Sequence, residues 1–167
     1  MDKKLLIIGA GQYGQVVREM AVLNPEYKEV AFVDDSLPIA IGKINELESF
    51  YPEWKCAIVA IGNPEIKKEI TRILIQIGFE IVNVIHPSAY ISPSAKIGQG
   101  CVIEAMAVIN TATILGSGVF VSPGAVINHN CCIMDFSHIN CNAVIEAGCV
   151  VPEGVKIESG SVFAKKM

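Results

Sequence analysis

Residues 85–162 read IHPSAY ISPSAK IGQGCV IEAMAV INTATI LGSGVF VSPGAV INHNCC IMDFSH INCNAV IEAGCV VPEGVK IESGSV, a run of thirteen hexads without a slip. The first position of each hexad is Ile85, Ile91, Ile97, Ile103, Ile109, Leu115, Val121, Ile127, Ile133, Ile139, Ile145, Val151 or Ile157, all aliphatic. The fifth position, from Ala89 to Ser161, admits nothing larger than valine. A large branched residue and a small one at a fixed period of six predict a hexapeptide β-helix, with short strands as its flat sides and small residues where the backbone turns a corner. Three hexads close a triangular coil of about 18 residues, so residues i and i+18 stack and the aliphatic column fills the interior. The stretch predicts a little over four coils, more than the roughly three repeats such an array needs for stability.

Upstream the pattern changes. Residues 4–8 (KLLII) read as a buried strand, and Gly9-Ala10-Gly11-Gln12-Tyr13-Gly14 follows directly. Val16, Val17, Met20, Ala21 and Leu23 then recur at helical spacing. Strand, glycine turn and helix in that order make the G-x-G-x-x-G pattern informative, because the glycines let backbone N–H groups approach a phosphate at a helix N-terminus. The other reading is that the glycines only permit close packing of helix on strand. A second strand, Val30–Val33, ends in Asp34-Asp35, about 20 residues beyond the glycines, where an acidic residue commonly meets a ribose. A short helix is expected near Ile44–Phe50 and a third strand over Cys56–Ile61, closed by a turn at Gly62-Asn63-Pro64. Glu65–Ile77 has helical periodicity and stops at Gly78, and a fourth strand, Glu80–Val84, delivers the chain to the hexads. Residues 1–84 therefore predict a half-Rossmann α/β domain, and residues 85–167 the β-helix. One half of a dinucleotide fold suits a single nucleotide diphosphate such as a UDP-sugar better than NAD.

Composition narrows the function classes. A net charge of −4 without a Lys/Arg cluster argues against nucleic acid as a partner. No apolar run approaches 18 residues and no signal peptide is recognisable, so neither a membrane span nor secretion is expected, and the cytoplasm is the expected compartment. Of the six cysteines, Cys101, Cys131 and Cys149 occupy the small fifth position, where a thiol acts as a small apolar residue. Cys132 and Cys141 lack ligand spacing despite the nearby His129 and His138, so no metal site is expected. Disulfides are disfavoured by the inferred compartment.

His129 is third in its hexad and His138 sixth in the next, positions that point outward, where an aliphatic column has no use for them. They stand half a coil apart, on different sides of one helix. They can approach each other only across a subunit interface, unless His138 merely packs there. His86 reads as a structural cap on the first coil.

The segments Ile7–Gly14, Phe32–Asp35, Ala60–Pro64, Ile85–Ala89, Val126–Cys131 and Asp135–Ile139 together resemble the sugar O/N-acyltransferase family that includes sialic acid O-acetyltransferases and bacterial UDP-4-amino-sugar acetyltransferases (NeuD/PglD-like). The likeness covers almost the whole chain. It implies a left-handed β-helix, a homotrimer, a nucleotide-sugar in the first domain and acetyl-CoA along a groove between neighbouring helices. It also implies that His129 is the general base, taking a proton from the acceptor as it attacks the thioester, with His138 contributed by a neighbouring chain. Substrate contacts are implied at Gly9, Gly11, Gln12, Tyr13, Gly14, Asp34, Asp35, Gly62 and Asn63, and acetyl-CoA contacts at Ala147 and Gly148. Relatives often carry Glu directly after the histidine. Here Asn130 stands there, able to orient the ring but not to supply charge, so either Asp135 substitutes or the base is weaker. Fewer than two coils follow His129, so a shortened CoA groove is expected. The resemblance leaves three functions open: N-acetylation of a nucleotide-linked amino sugar, O-acetylation of a sialic acid or related sugar, and a non-catalytic nucleotide-sugar-binding or scaffold role.

Overall fold

The computed structural model describes residues 3–165, and the chain divides into two compact units between Val84 and Ile85. The first is a four-stranded parallel sheet in the order β2-β1-β3-β4, made by β1 (Lys3–Ile8), β2 (Tyr27–Val33), β3 (Cys56–Val59) and β4 (Glu80–Ile81). Leu5 to Ile8 and Cys56 to Val59 are buried without alternation, as befits strands covered on both faces. Helix α1 (Gln12–Ala21) buries Gly14, Val17, Met20 and Ala21. Helix α3 (Pro64–Ile77) starts on an Asn63 cap with proline in its first turn and ends on left-handed Gly78. A 3₁₀ turn at Ile44–Glu46 runs into the one-turn helix α2 (Leu47–Phe50). Trp54, the chain's single tryptophan, is buried in this core with Leu6, Ile8, Leu74 and Phe79.

The second unit is a three-sided parallel β-helix of two-residue strands. One side stacks β6 (Tyr90–Ile91), β9 (Val108–Ile109), β12 (Val126–Ile127), β15 (Val144–Ile145) and β18 (Val162–Phe163). A second stacks β7 (Lys96–Ile97), β10 (Ile114–Leu115), β13 (Cys132–Ile133) and β16 (Val150–Val151). The third stacks β5 (Val84–Ile85), β8 (Val102–Ile103), β11 (Phe120–Val121), β14 (His138–Ile139) and β17 (Lys156–Ile157). Val108, Val126 and Val144 pair in register, which is the expected repeat of 18. From Ile103 to Ile157 the first-position aliphatics are buried; Ile85 is 40% exposed and Ile91 and Ile97 half-buried.

The corners differ from the sequence expectation. The turn is made by the third and fourth residues of each hexad, and the small fifth residue lies inside it. Eleven fourth positions have positive φ: six are glycine, and the others are Met106, Ala112, Asn130, Phe136 and Asn142. Each fourth-position N–H from Gly118 to Gly160 donates to the third-position carbonyl one coil back, as Asn130 does to Thr111 at 2.9 Å and Gly148 to His129 at 3.0 Å. In the first coil Ser88 and Ser94 replace that acceptor with their hydroxyls, receiving Met106 N–H and Ala112 N–H. The buried fifth-position thiols and hydroxyls are also more than apolar filler. Cys101, Thr113, Cys131 and Ser137 each donate to the carbonyl fifteen residues on, and two of those carbonyls, Glu146 O and Pro152 O, also accept the Cys149 and Val155 N–H groups.

Candidate active site

Two places collect the residues singled out in the sequence, one in each unit. In the α/β unit, Gly9 has φ +105, and a Cβ there would press on the Ala60 carbonyl at 3.0 Å. A Cβ on Gly14 would overlap the Gly9 carbonyl, so this glycine is what lets α1 sit against the end of β1. Gly11 is the N-cap of α1 and faces open space; Gln12 is exposed and Tyr13 half-buried. No side chain caps α1 and no acid lies in its first turn, whereas Asn63 Oδ1 accepts the Ile66 N–H at 2.9 Å at the start of α3. The positive end of α1 is thus left for an anion, while that of α3 is already served.

The two aspartates are engaged with backbone. Asp34 accepts Ala10 N–H at 2.8 Å, Ser36 N–H at 2.9 Å and Leu37 N–H at 3.0 Å. The Ala10 and Ser36 amides, with Leu37, hold its carboxyl below the usual range for aspartate. Asp35 accepts Ile44 N–H at 2.9 Å. Asp34 therefore ties the glycine turn to the end of β2 instead of presenting a free carboxylate. Both aspartates still border a concavity of about 320 Å³, and Asp35 a second of about 610 Å³. Lys43 lines both, although in the sequence it is only a single cation in a polar stretch. Gly62 faces open space beyond β3, and Asn63 is committed to its cap.

In the β-helix, His129 occupies the exposed corner between β12 and β13, in register with the small residues Thr111 and Ala147. Its N–H is held by Asn128 Oδ1 at 2.8 Å, its carbonyl by Gly148, and its ring Nδ1 lies 2.9 Å from Asn130 Nδ2. Thr113 Oγ1 braces the same corner from inside, donating to Asn128 O at 2.7 Å and accepting Cys131 N–H at 3.2 Å. Nothing in the hexad rule would have pointed to Thr113, which fills its small position as alanine would. Asp135 does not partner His129: it sits at the far end of β13, and its Oδ1 accepts Ser117 N–H at 2.8 Å. His138 lies on β14, on another side of the helix, with Nε2 2.9 Å from Ser122 Oγ and its ring edge-on to Phe120 at 5.7 Å. His86 folds back locally, with Nδ1 2.8 Å from Ser88 Oγ. Among the described residues, no three His, Cys, Asp or Glu side chains cluster as a metal site, and no helix is long and apolar enough to cross a membrane.

The PglD N-terminal domain family matches residues 4–74. The acetyltransferase domain of PglB from Neisseria gonorrhoeae, solved in complex with acetyl coenzyme A, is 36% identical over 99% of this chain and 83% of its own, with a TM-score of 0.93. This chain belongs to the PglD-like hexapeptide-repeat family. A second solved structure, a histidine-to-alanine variant of GDP-perosamine N-acetyltransferase from Caulobacter crescentus in complex with CoA and GDP-perosamine, is 26% identical over 100% of this chain and 91% of its own, with a TM-score of 0.83. UDP-N-acetylbacillosamine N-acetyltransferase of Bacillus subtilis is 30% identical over 62% of this chain and 52% of its own length. The chain thus spans about half the length of the curated relatives it matches.

Proposed function

We propose that this PglD-like protein is an acetyl-CoA-dependent N-acetyltransferase acting on an amino group of a nucleotide-linked sugar. The observation that carries the reading is His129, an exposed imidazole on a corner flanked in register by small residues, whose Nε2 has no hydrogen-bond partner among the described residues. The chain around it resembles, over nearly its whole length, an acetyltransferase domain that binds acetyl coenzyme A. In the reaction, the neutral amine attacks the thioester carbonyl, His129 Nε2 takes the proton the nitrogen sheds, and the tetrahedral intermediate collapses with loss of the CoA thiolate. Ala147 and Gly148, one coil on from His129, form part of the acetyl-CoA surface in this reading. The glycine turn and the uncapped start of α1 suit the diphosphate of the acceptor, and the relatives' UDP- and GDP-linked amino sugars support an amine over a hydroxyl.

The same reading makes the protein a homotrimer. The outward residues of one side, Tyr90, Val108, Val126, Val144 and Val162, form an apolar column that a second copy would cover, bringing its His138 to the site. The cytoplasm fits six free cysteines. Substitution of His129 by Ala is expected to lower thiol release from acetyl-CoA, with a nucleotide amino sugar as acceptor, by roughly 10²- to 10⁴-fold while leaving thermal stability unchanged. Unchanged turnover refutes the assignment. Sedimentation equilibrium tests the trimer.

A further inference from the structure

We infer that Asn110 and Thr111 bind the sugar of the acceptor by the hydroxyl next to its reacting amine; this rests on the reading of His129 as the base. The amine then reaches His129 from the preceding coil, and the thioester from the following one. The corner that carries His129 recurs once per coil. Its second positions are Ser92, Asn110, Asn128 and Glu146 and its third positions Pro93, Thr111, His129 and Ala147, each one strand spacing, about 4.8 Å, from the next. The coils on either side of His129 thus differ in kind: one offers an amide and a hydroxyl, the other Ala147 and Gly148 behind a carboxylate.

The fold makes no use of these two side chains. Thr111 O takes the Asn130 N–H at 2.9 Å, Asn110 O takes the Thr113 N–H at 3.3 Å, and the Asn110 N–H goes to Ile127 O at 3.0 Å, so the backbone of the corner is satisfied without them. Asn128 spends its Oδ1 on the His129 N–H, whereas the amide of half-buried Asn110 has no partner among the described residues. Thr111 is exposed, and its Oγ1 meets Ser92 Oγ at 3.5 Å, with its own hydrogen left to donate. An amide that both donates and accepts, beside a hydroxyl, matches a sugar hydroxyl, which donates once and accepts twice. Ala147 and Gly148 have no polar side chain and leave room for the acetyl thioester. Glu146 is exposed on that coil, and a carboxylate beside the acceptor would favour its ammonium form, which cannot attack. The chemistry of the two coils therefore places the sugar on the Thr111 side.

The test uses the full-length protein with GDP-perosamine and a UDP-linked 4-amino sugar, each beside its analogue lacking the hydroxyl next to the amine. Thr111→Val, which keeps the shape and removes the hydroxyl, and Asn110→Ala should each raise the acceptor KM about tenfold. Acetyl-CoA should keep its KM and its calorimetric Kd in both variants. The deoxy analogue should lose the same factor with the wild type and nothing further with Thr111→Val, because hydroxyl and threonine then remove one shared contact. Ala147→Val should do the reverse and raise the KM of acetyl-CoA alone. Thermal unfolding of Thr111→Val at the wild-type temperature separates a lost contact from a lost fold. Wild-type acceptor KM in both Thr111→Val and Asn110→Ala, or a rise found only in Glu146→Gln, would overturn the inference. Full activity in His129→Ala would instead overturn the base assignment, so the two failures are separable.

Discussion

The α/β unit and the β-helix reach order by opposite means. In the α/β unit almost every contact that matters occurs once: Asp34 gathers three amides, Asn63 caps one helix, Gly14 admits one helix to one strand. In the β-helix the same contact recurs at each corner, so a residue that departs from the rule stands out. His129 is visible for that reason, whereas the aspartates fit a familiar pattern and turn out to hold the loop. A repeat advertises function as an exception; a singular fold hides structural roles inside functional-looking motifs.

Trp54, buried in the α/β core, lets the contrast be broken experimentally, because its fluorescence reports one unit while far-UV circular dichroism is sensitive to both. The largest effect on stability is expected for Ile127→Ala, about 3 kcal/mol from a cavity in a fully buried column. Urea unfolding should shift in the dichroism and not in the Trp54 signal; coincident shifts would mean the two units unfold as one. Next comes Gly14→Ala, where the added methyl overlaps the Gly9 carbonyl and costs roughly 1–3 kcal/mol in the Trp54 transition, with weaker binding of nucleoside diphosphate by calorimetry.

Asp34 gives a smaller, pH-dependent effect. Its folded carboxyl titrates below its unfolded value, so the stability it contributes is present above the usual carboxylate range and is lost as pH falls through the folded value. Asp34→Asn should flatten this acid-side decline, by about 1 kcal/mol in the Trp54 unfolding free energy measured across pH. The smallest change expected is a gain. Met106 is 71% exposed at φ +59, so Met106→Gly relieves a left-handed conformation and should raise stability by about 1 kcal/mol in thermal unfolding.

The hexad reading reached far because the repeat is itself a packing rule. A column of branched residues at every sixth place has one way to be buried, and β8 to β17 bury it so. The strands and helices of the α/β unit were legible to within a few residues, since glycine, proline and asparagine mark their ends. Less legible was which residue makes each corner. Small fifth residues looked like the turn, but the left-handed fourth residue makes it, and Met106, Ala112 and Phe136 there carry no compositional mark.

For the candidate site, the sequence pattern singled out an outward imidazole at 129 and a glycine turn opening a helix, and the family resemblance added Asn130 beside the ring. Only the tertiary structure decided what those groups touch. Asp34 is spent on Ala10 because β2 lies next to β1, and Asp135 is removed from His129 because a two-residue strand carries it to the next corner. Periodicity determines which way a side chain faces. Hydrogen-bond partners depend on which coil or strand comes alongside, and that is settled only when the chain has closed on itself.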